Sequence, residues 1–591
     1  NMFDIEKQEK NQVNIESDSL SSIEIVETGT TVSKWQDFKD SFKRIEMDEL
    51  DPSLTDAERV AIATARVPLK RHLKARHVQM IAIGGAIGTG LFVGSGASLR
   101  TAGPAGLLIG YGISSSFILC MICALGEMAV EFPVSGGFTT YTTRFVDDSF
   151  GFAANFNYAL QWLVILPLEI VSASITVNYW GTPKKYRDGF VALFWLVIVS
   201  INLFGVKGYG EAEFFFSSCK VLLIIGFIIC GICLVCGARG PYVGGKYWHH
   251  PYGAFVGDTA GARFKGTMSV FTSAAFAFGG SEMVGLAAAE TDNPRKAIPK
   301  ATKQVFWRLM IFYMVSLTLV GLLVSHKDPR LIGSSSADAA ASPFVIALVS
   351  HGIKGLPSLF NVVICIAVLS VGNSSVYACS RTLAAFSEQG YAMKWMNLEY
   401  IDRAGRPIVG IIITSIFGLL GFVAASNKEG EVFNWLYALF GLSSLFTWGG
   451  ICLCHIRFRR ALSAQNRSTA ELSFISPMGV IGSYYGFILI LCVLIAEFWV
   501  GAWPNGYKEM SSSAIATNFF ETYLSLPVLL IAYIGRKIYK KNWKLFIPSD
   551  QVDIDTGRRE VDLVALKEQI ALEKEEMANK NFVIRAYHFW C

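Results

Sequence analysis

From residue 70 onward the chain alternates long apolar runs with short polar links. A helix needs about 20 apolar residues to cross a ~30 Å hydrocarbon layer. On that measure the pattern predicts twelve spans, near 78–99, 106–130, 157–180, 189–205, 213–236, 267–289, 306–325, 357–386, 407–425, 432–455, 479–502 and 518–536. The 357–386 run is long enough to extend beyond the bilayer. Residues 1–69 are polar, rich in Ser and Glu and without sustained periodicity, and predict a mostly disordered tail. Within it Trp35, Phe38 and Phe42 recur at three and four residues, which predicts a short amphipathic helix between Lys34 and Met47. A second tail, 537–591, places Leu563, Leu566, Ile570 and Met577 on one helical face, either packed on the body or acting as a regulatory module. The predicted architecture is an all-α membrane protein, with a twelve-helix domain at 70–536 between two tails.

Composition agrees with this class. Only 17% of residues are charged against the roughly 25% of soluble domains, and mean hydropathy is +0.41. A net charge of +5 is too mild to indicate a nucleic-acid partner. The polar N-terminal tail carries no cleavable signal, so the first span is expected to serve as the targeting signal. Lys and Arg cluster on the links that face inward if both tails are cytosolic, as at Arg295, Lys296, Lys300, Lys303 and Arg308, at Arg457, Arg459 and Arg460, and at Arg536, Lys537, Lys540 and Lys541. Lys184, Lys185 and Arg187 fall on the other side and oppose the trend. The cysteines lie in or beside apolar runs and read as inert buried thiols. CxxC spacings such as Cys120/Cys123 lack converging His or Cys partners, so no metal site is expected.

The first span is interrupted. IAIGGAIGTG, from Ile81 to Gly90, places four Gly between positions 84 and 90, and each Gly costs about 1 kcal/mol in a helix interior. Five spans later, Phe276-Ala277-Phe278-Gly279-Gly280-Ser281-Glu282 interrupts the sixth. Gly-broken segments at matching positions of two halves point to a transporter site at the bilayer midplane. Freed N–H groups there hold a carboxylate and freed C=O groups an ammonium; an α-amino acid carries both.

The stretches RHVQMIAIGGAIGTGLFVGSG, Pro133-Val134-Ser135-Gly136-Gly137-Phe138, Arg144-Phe145-Val146-Asp147 and FAFGGSEMVGLAAAE resemble the fungal amino acid permease family of the amino acid–polyamine–organocation superfamily, over roughly 70–545. KWQDFKDSFKR, Gly245-Lys246-Tyr247-Trp248-His249 and DIDTGRREVDL resemble its general-permease branch most. The resemblance implies a leucine-transporter-type core of two inverted five-helix repeats, about 78–236 and 267–455, with extra helices at 479–536. It implies proton-coupled amino acid uptake at the plasma membrane, reached through the endoplasmic reticulum and Golgi and left through endosomes. It further implies that Thr89 and Gly90 form the carboxylate-binding turn. Ala86, Phe276 and Gly279 would offer carbonyls to the ammonium, and Phe276 would also close as an aromatic lid.

Ionisable groups inside spans cost at least ~2.5–3.5 kcal/mol each and mark function. Lys220 either snorkels to the interface or, as in bacterial relatives, sits by the broken first helix as a proton switch. Glu282 either carries the proton or caps the half-helix after the break. Glu169 reads as a side-chain-pocket residue that attracts cationic substrates, and Glu497 as a lipid- or interface-facing group. Asn373, Ser374 and Ser375 face either the cavity or a neighbouring helix. The chain departs from the family at Tyr437, where Leu is usual, and at Phe440, where a small hydroxyl residue is usual; a Phe projecting into the side-chain pocket would narrow specificity.

In the tails, the resemblance implies that Lys7 and Lys10 accept ubiquitin from a ligase machinery; a merely solvated charged tail is the alternative. Cys591 is a weak candidate for S-acylation. The expected partners are therefore amino acids, protons, membrane lipids and that ligase machinery, with no cofactor other than the coupling proton. An amino acid/proton symporter is the main reading. An amino acid receptor signalling through its tails is the rival. No nucleophile–base motif or phosphate loop suggests an enzyme, and no ring of charges suggests a channel.

Overall fold

The computed structural model describes residues 71–332 except Ala86, 342–425, 429–504 and 507–558, with shorter pieces at 36, 39–45, 62–63, 69 and parts of 568–585. Two units separate at Lys43/Arg44. In the first, Gln36 and Lys39–Asp40 are helical and Lys43 pairs with Asp40 at 2.6 Å. Trp35 and Phe38 of the expected amphipathic helix lie outside the described residues, as do Lys7, Lys10 and Cys591.

The second unit is helical, and no named strand occurs among its described residues. α1 (Ala75–Gly84) stops at the Gly cluster, and the chain resumes helix at Thr89 with a π turn, Gly90–Gly94, that runs into α2 (Ser95–Glu131). Inside α2, Gly103 stands at φ 77° before Pro104. Proline pushes its predecessor out of the α region, and only glycine takes this positive φ without strain. The expected link between the first two spans is thus a one-residue kink.

Next come α3 (Phe138–Phe145), α4 (Asp148–Val177), α5 (Arg187–Leu203) and α6 (Gly205–Val235). Asp147 caps α4 by accepting from Phe150 N at 2.8 Å. The interrupted sixth span is α7 (Ala260–Met268), α8 (Val270–Phe278) and the short α9 (Met283–Ala287), with Gly280 at φ 89° in the gap. Then follow α10 (Pro294–Trp307), a π stretch Arg308–Val315, α11 (Ser316–Leu323), α12 (Pro343–Ser350) and α13 (Leu356–Glu388). The remainder is α14 (Ile408–Gly418), α15 (Glu429–Ala464), α16 (Gly479–Ala502), α17 (Ser512–Tyr523) and α18 (Ser525–Lys540).

Eight helices among the described residues are long and apolar enough to cross a membrane, or nine if α17 and α18, bent by 63°, count as one span. Twelve is not reached, for local reasons. The first expected span is broken at its glycines, α5 has 17 residues, and α14 has 11 before tightening into a 3₁₀ stretch.

α4 and α13 pack against each other most extensively and sit centrally, also touching α15, α6 and α14. α6 and α16 turn large apolar residues outward, such as Leu222 (70% exposed) and Ile495 (69%), as lipid-facing helices do. Two expectations are corrected here. Cys233, Cys236 and Cys492 are exposed on outer faces, so the thiols are not uniformly buried. Glu497 does not face lipid; it is 1% exposed, because its helix turns that face inward beside Ile490, Val493 and Leu494.

Beyond α18 the chain folds back across one end of the bundle. Ile547 N donates to Val146 O at 2.9 Å, and Arg457 donates to the Ile547 carbonyl. Arg144 Nη1 donates to Thr556 O at 2.7 Å. Arg467 pairs with Asp555 at 2.6 Å and Arg558 with Glu131 at 3.1 Å, while Val552 and Ile554 are buried beneath. Of the expected tail face, Leu563, Leu566 and Ile570 lie outside the described residues; Met577 is helical.

Candidate functional site

The two interruptions meet. A Cβ placed on Gly90 would lie 2.4 Å from Ala277 Cα and 2.8 Å from Phe276 Cδ1, so the backbones touch where only glycine fits. The end of α1 carries carbonyls with no partner inside the helix. Two buried cations take them: Arg308 Nη1 donates to Ala82 O, and Lys220 Nζ donates to Gly84 O at 2.8 Å. Positive charge at a helix C-terminus also complements the backbone dipoles. Arg308 reaches the second break as well, donating from Nη2 to Ser281 Oγ at 2.6 Å. The gap after α8 is held by Tyr313 OH on Ala277 O at 2.7 Å and by Gly279 N on Phe276 O at 3.2 Å. A carbonyl has two lone pairs, so Phe276 O retains capacity for another donor.

Thr89 Oγ1 donates to Glu169 Oε2 at 2.6 Å, joining the resumed first span to the middle of α4. The other oxygen, Glu169 Oε1, is buried with no hydrogen-bond partner among the described residues. Aromatic rings wall the opposite side. Phe276 packs on Tyr437 (4.3 Å between centroids) and edge-on to Phe440 (5.3 Å), and Phe440 stands edge-on to Trp162 at 5.9 Å. Phe440 therefore projects toward the breaks: a Cβ on Gly279 would lie 2.3 Å from its Cε1.

Thr89, Gly90, Glu169, Phe276, Gly279 and Phe440 are brought together. Ala86 lies outside the described residues. Ser374 stands apart, 3.2 Å from Tyr209 OH and 3.5 Å from Glu213 Oε2. Asn373 accepts from Asn202 at 2.8 Å, and Ser375 bonds its own helix. Lys220 is fully buried rather than snorkelling. Glu282 makes no side-chain cap; Trp448 Nε1 donates to its Oε2 at 3.0 Å, and its Oε1 is buried without a partner among the described residues.

Four charged residues near the breaks have no role in the sequence reading. Arg308 was counted in an inward-facing charge cluster, and Glu213 stood at the mouth of the fifth span. Glu290 and Arg381, paired through 2.6 and 2.8 Å bonds with Tyr377 OH at 2.5 Å, lie near the ends of the sixth and eighth spans. A spacing of seven from Glu213 to Lys220, two turns of one face, was the available signal.

Apolar helices crossing repeatedly around two touching helix breaks define a multi-pass membrane transporter, not an enzyme. The chain belongs to the amino acid permease family, whose pattern matches residues 77–549. It is 65% identical over 573 residues to the general amino-acid permease GAP1 of Saccharomyces cerevisiae, covering 97% of this chain and 94% of the relative. General amino-acid permease GAP2 of Candida albicans is 57% identical (94% and 93% covered), and the histidine permease of S. cerevisiae 52% (88% and 86%). A manganese transporter of Eremococcus coleocola is similar at 15% identity and a TM-score of 0.48, over 85% of this chain and 97% of that one.

Proposed function

We propose that this protein is a plasma-membrane amino acid/proton symporter working by alternating access, with both tails in the cytosol. The contact between the two breaks carries this reading: it sets the start of one half-helix at Thr89 and Gly90 against the end of another at Phe276 and Ala277. N–H groups at the first suit a carboxylate and carbonyls at the second suit an ammonium. The names of the relatives, general amino-acid permeases, support L-amino acids as the substrate class. In this reading the twelve spans form two inverted repeats plus two helices, with the first and sixth spans broken and the fourth, ninth and twelfth short or bent.

The proton acts through Lys220, whose hold on Gly84 O ties the end of α1 to α6. Substrate enters from outside and bridges the breaks as Phe276 closes over it; loss of the Lys220 proton toward the cytosol then releases α1. Uptake of radiolabelled amino acids into proteoliposomes, with and without an inward proton gradient, tests this. Lys220→Met should abolish gradient-driven accumulation while leaving some exchange, and full accumulation by that variant would refute the role.

A narrower substrate range is the second reading, favoured by the ring of Phe440 against Gly279 and Phe276. Accumulation of only a few members of an amino acid panel would support it. The tail lysines Lys7 and Lys10 remain the proposed ubiquitin acceptors.

A further inference from the structure

Lys220 has a carboxylate neighbour for which the symport scheme above has no task. Glu213 precedes it by two helical turns on the same face of α6, is 1% exposed, and has Oε1 3.5 Å from Lys220 Nζ. Ser370 of α13 stands between them. Its Oγ accepts from Lys220 at 2.8 Å and lies 2.7 Å from Glu213 Oε2 and 2.9 Å from Oε1. A serine hydroxyl has one proton to donate and lone pairs to accept with. Here it accepts from the cation and donates to the carboxylate, so the three groups form a hydrogen-bonded line.

The surroundings give this line a direction. Gly84 O, the other acceptor on Lys220, leads to the helix break. Ser217 Oγ, packed against Gly84 on the side of the break, donates to Oε1 at 3.1 Å, and toward the other side Ser374 Oγ links Oε2 (3.5 Å) to Tyr209 OH (3.2 Å). Tyr209 stacks on Tyr377 at 4.0 Å, and Tyr377 OH donates to Glu290, the partner of Arg381. Asn202, Tyr209, Tyr377, Arg381 and Arg406 line one pocket at the end of this series. The other ionisable neighbours include His77 of α1, packed against Gly210 one turn before Glu213, and Glu169 of α4 and the adjacent Cys219, which act on Lys220 electrostatically.

We propose that Glu213 is the acceptor of the Lys220 proton, passed through Ser370. An Nζ–H bond breaks as a new Oγ–H bond forms, and the original Ser370 proton moves to Glu213 Oε2. An ammonium and a carboxylate become an amine and a carboxylic acid, with no change in net charge. The neutral amine loses its charge-assisted bond to Gly84 O, which frees the end of α1. Glu213 then gives its proton to water on the Ser374–Tyr209 side, and Lys220 is recharged by a proton from outside in the next cycle. The inference rests on the proton-coupled reading of the site.

The test uses the full-length protein in proteoliposomes, with a labelled amino acid that the wild type carries. Gradient-driven accumulation, counterflow exchange at equal pH and the pH profile of exchange are compared. Glu213→Gln should lower accumulation by at least about tenfold and counterflow by less than about threefold, with a flattened pH profile. Ser370→Ala should act in the same direction, and Glu213→Asp and Ser370→Thr should restore part of the loss. Wild-type accumulation and pH profile in Glu213→Gln would overturn the relay. So would equal loss of both activities without rescue by aspartate, the mark of a structural carboxylate. If Glu213→Gln does not fold, the uncharged Ser370 pair decides: accumulation unchanged in Ser370→Ala overturns the proposal. A wild type that exchanges but never accumulates refutes the symport reading itself, an outcome distinct from failure of the variants alone.

Discussion

Gly90→Ala is the sharpest probe of the contact between the two breaks. Its methyl would fall 2.4 Å from Ala277 Cα and 2.7 Å from Ala277 N. Carbon atoms rest at about 3.5–4.0 Å, so the backbones must separate by roughly 1 Å or more. Neither neighbour is a side chain able to swing aside. Overpacking of this kind costs about 1–3 kcal/mol. Borne by the substrate-bound state, that cost is roughly a 5- to 150-fold loss of kcat/KM, at tenfold per 1.4 kcal/mol. A 1 Å displacement of positioned groups suggests a similar ~100-fold. Initial rates of amino acid uptake into proteoliposomes, at matched protein content, measure it. Gly279→Ala meets chiefly the Phe440 ring, which can rotate, and should be affected less. Gly226→Ala, with nothing within 4 Å, is the control and should match wild type. A Gly90→Ala protein as active as Gly226→Ala would refute the claim that substrate is held where the breaks touch.

Phe440→Ser should widen the range of side chains accepted, because the ring now fills the space over Gly279; competition by a panel of unlabelled amino acids reads the change. Arg308→Met removes the side-chain donor from Ala82 O, at roughly 1–3 kcal/mol for a buried polar group left unpaired, and should lower the thermal midpoint in detergent; Ser281 Oγ keeps its bond to Phe278 O. The folded-back tail should be pH-sensitive on the acid side. Hydrogen bonds from Arg467 hold Glu471 below the ordinary carboxylate range, and Arg558 bonds the same residue. A lowered carboxylate stabilises the folded arrangement above its ordinary value and loses that contribution as pH falls through the lowered one. Protection factors for amide exchange at 548–558, which divide out the intrinsic pH dependence of exchange, should hold down to about pH 4.3 and fall below it; protection that is unchanged below that pH, or that rises there, would contradict the assignment.

The helix breaks were legible because glycine clusters are conspicuous inside apolar runs, and Gly84 to Gly90 and Gly279–Gly280 lie where the chain leaves the helix. Lys220 and Glu169 stood out for the same reason, as charges in apolar surroundings. What periodicity does not encode is which orphaned carbonyl a distant cation will find. Arg308 in sequence is one more positive charge at a span end; in the fold it bridges both breaks. Arg459 in sequence is likewise one of a cluster of positive charges, and Glu127 and His455 carry no sequence signal of their own, yet the three join α2 to α15 through bonds of 3.0 and 2.7 Å. The expected span count and the number of long helices differ where apolar length and helix length part company, as at α5 and α14.

The return of residues 544–558 across the bundle has a consequence for biosynthesis. α2, α3 and α15 are complete long before the segment that binds Glu131, Arg144, Arg457 and Arg467 has been made. Chains emerge from the ribosome N-terminus first, so these four side chains lack their tail partners until residues 549–558 have been made. A nascent permease that stalls or is cut short before residue 544 has every long apolar helix but leaves four charged groups at one end without their tail contacts, a difference that separates chains carrying the folded-back segment from those without it.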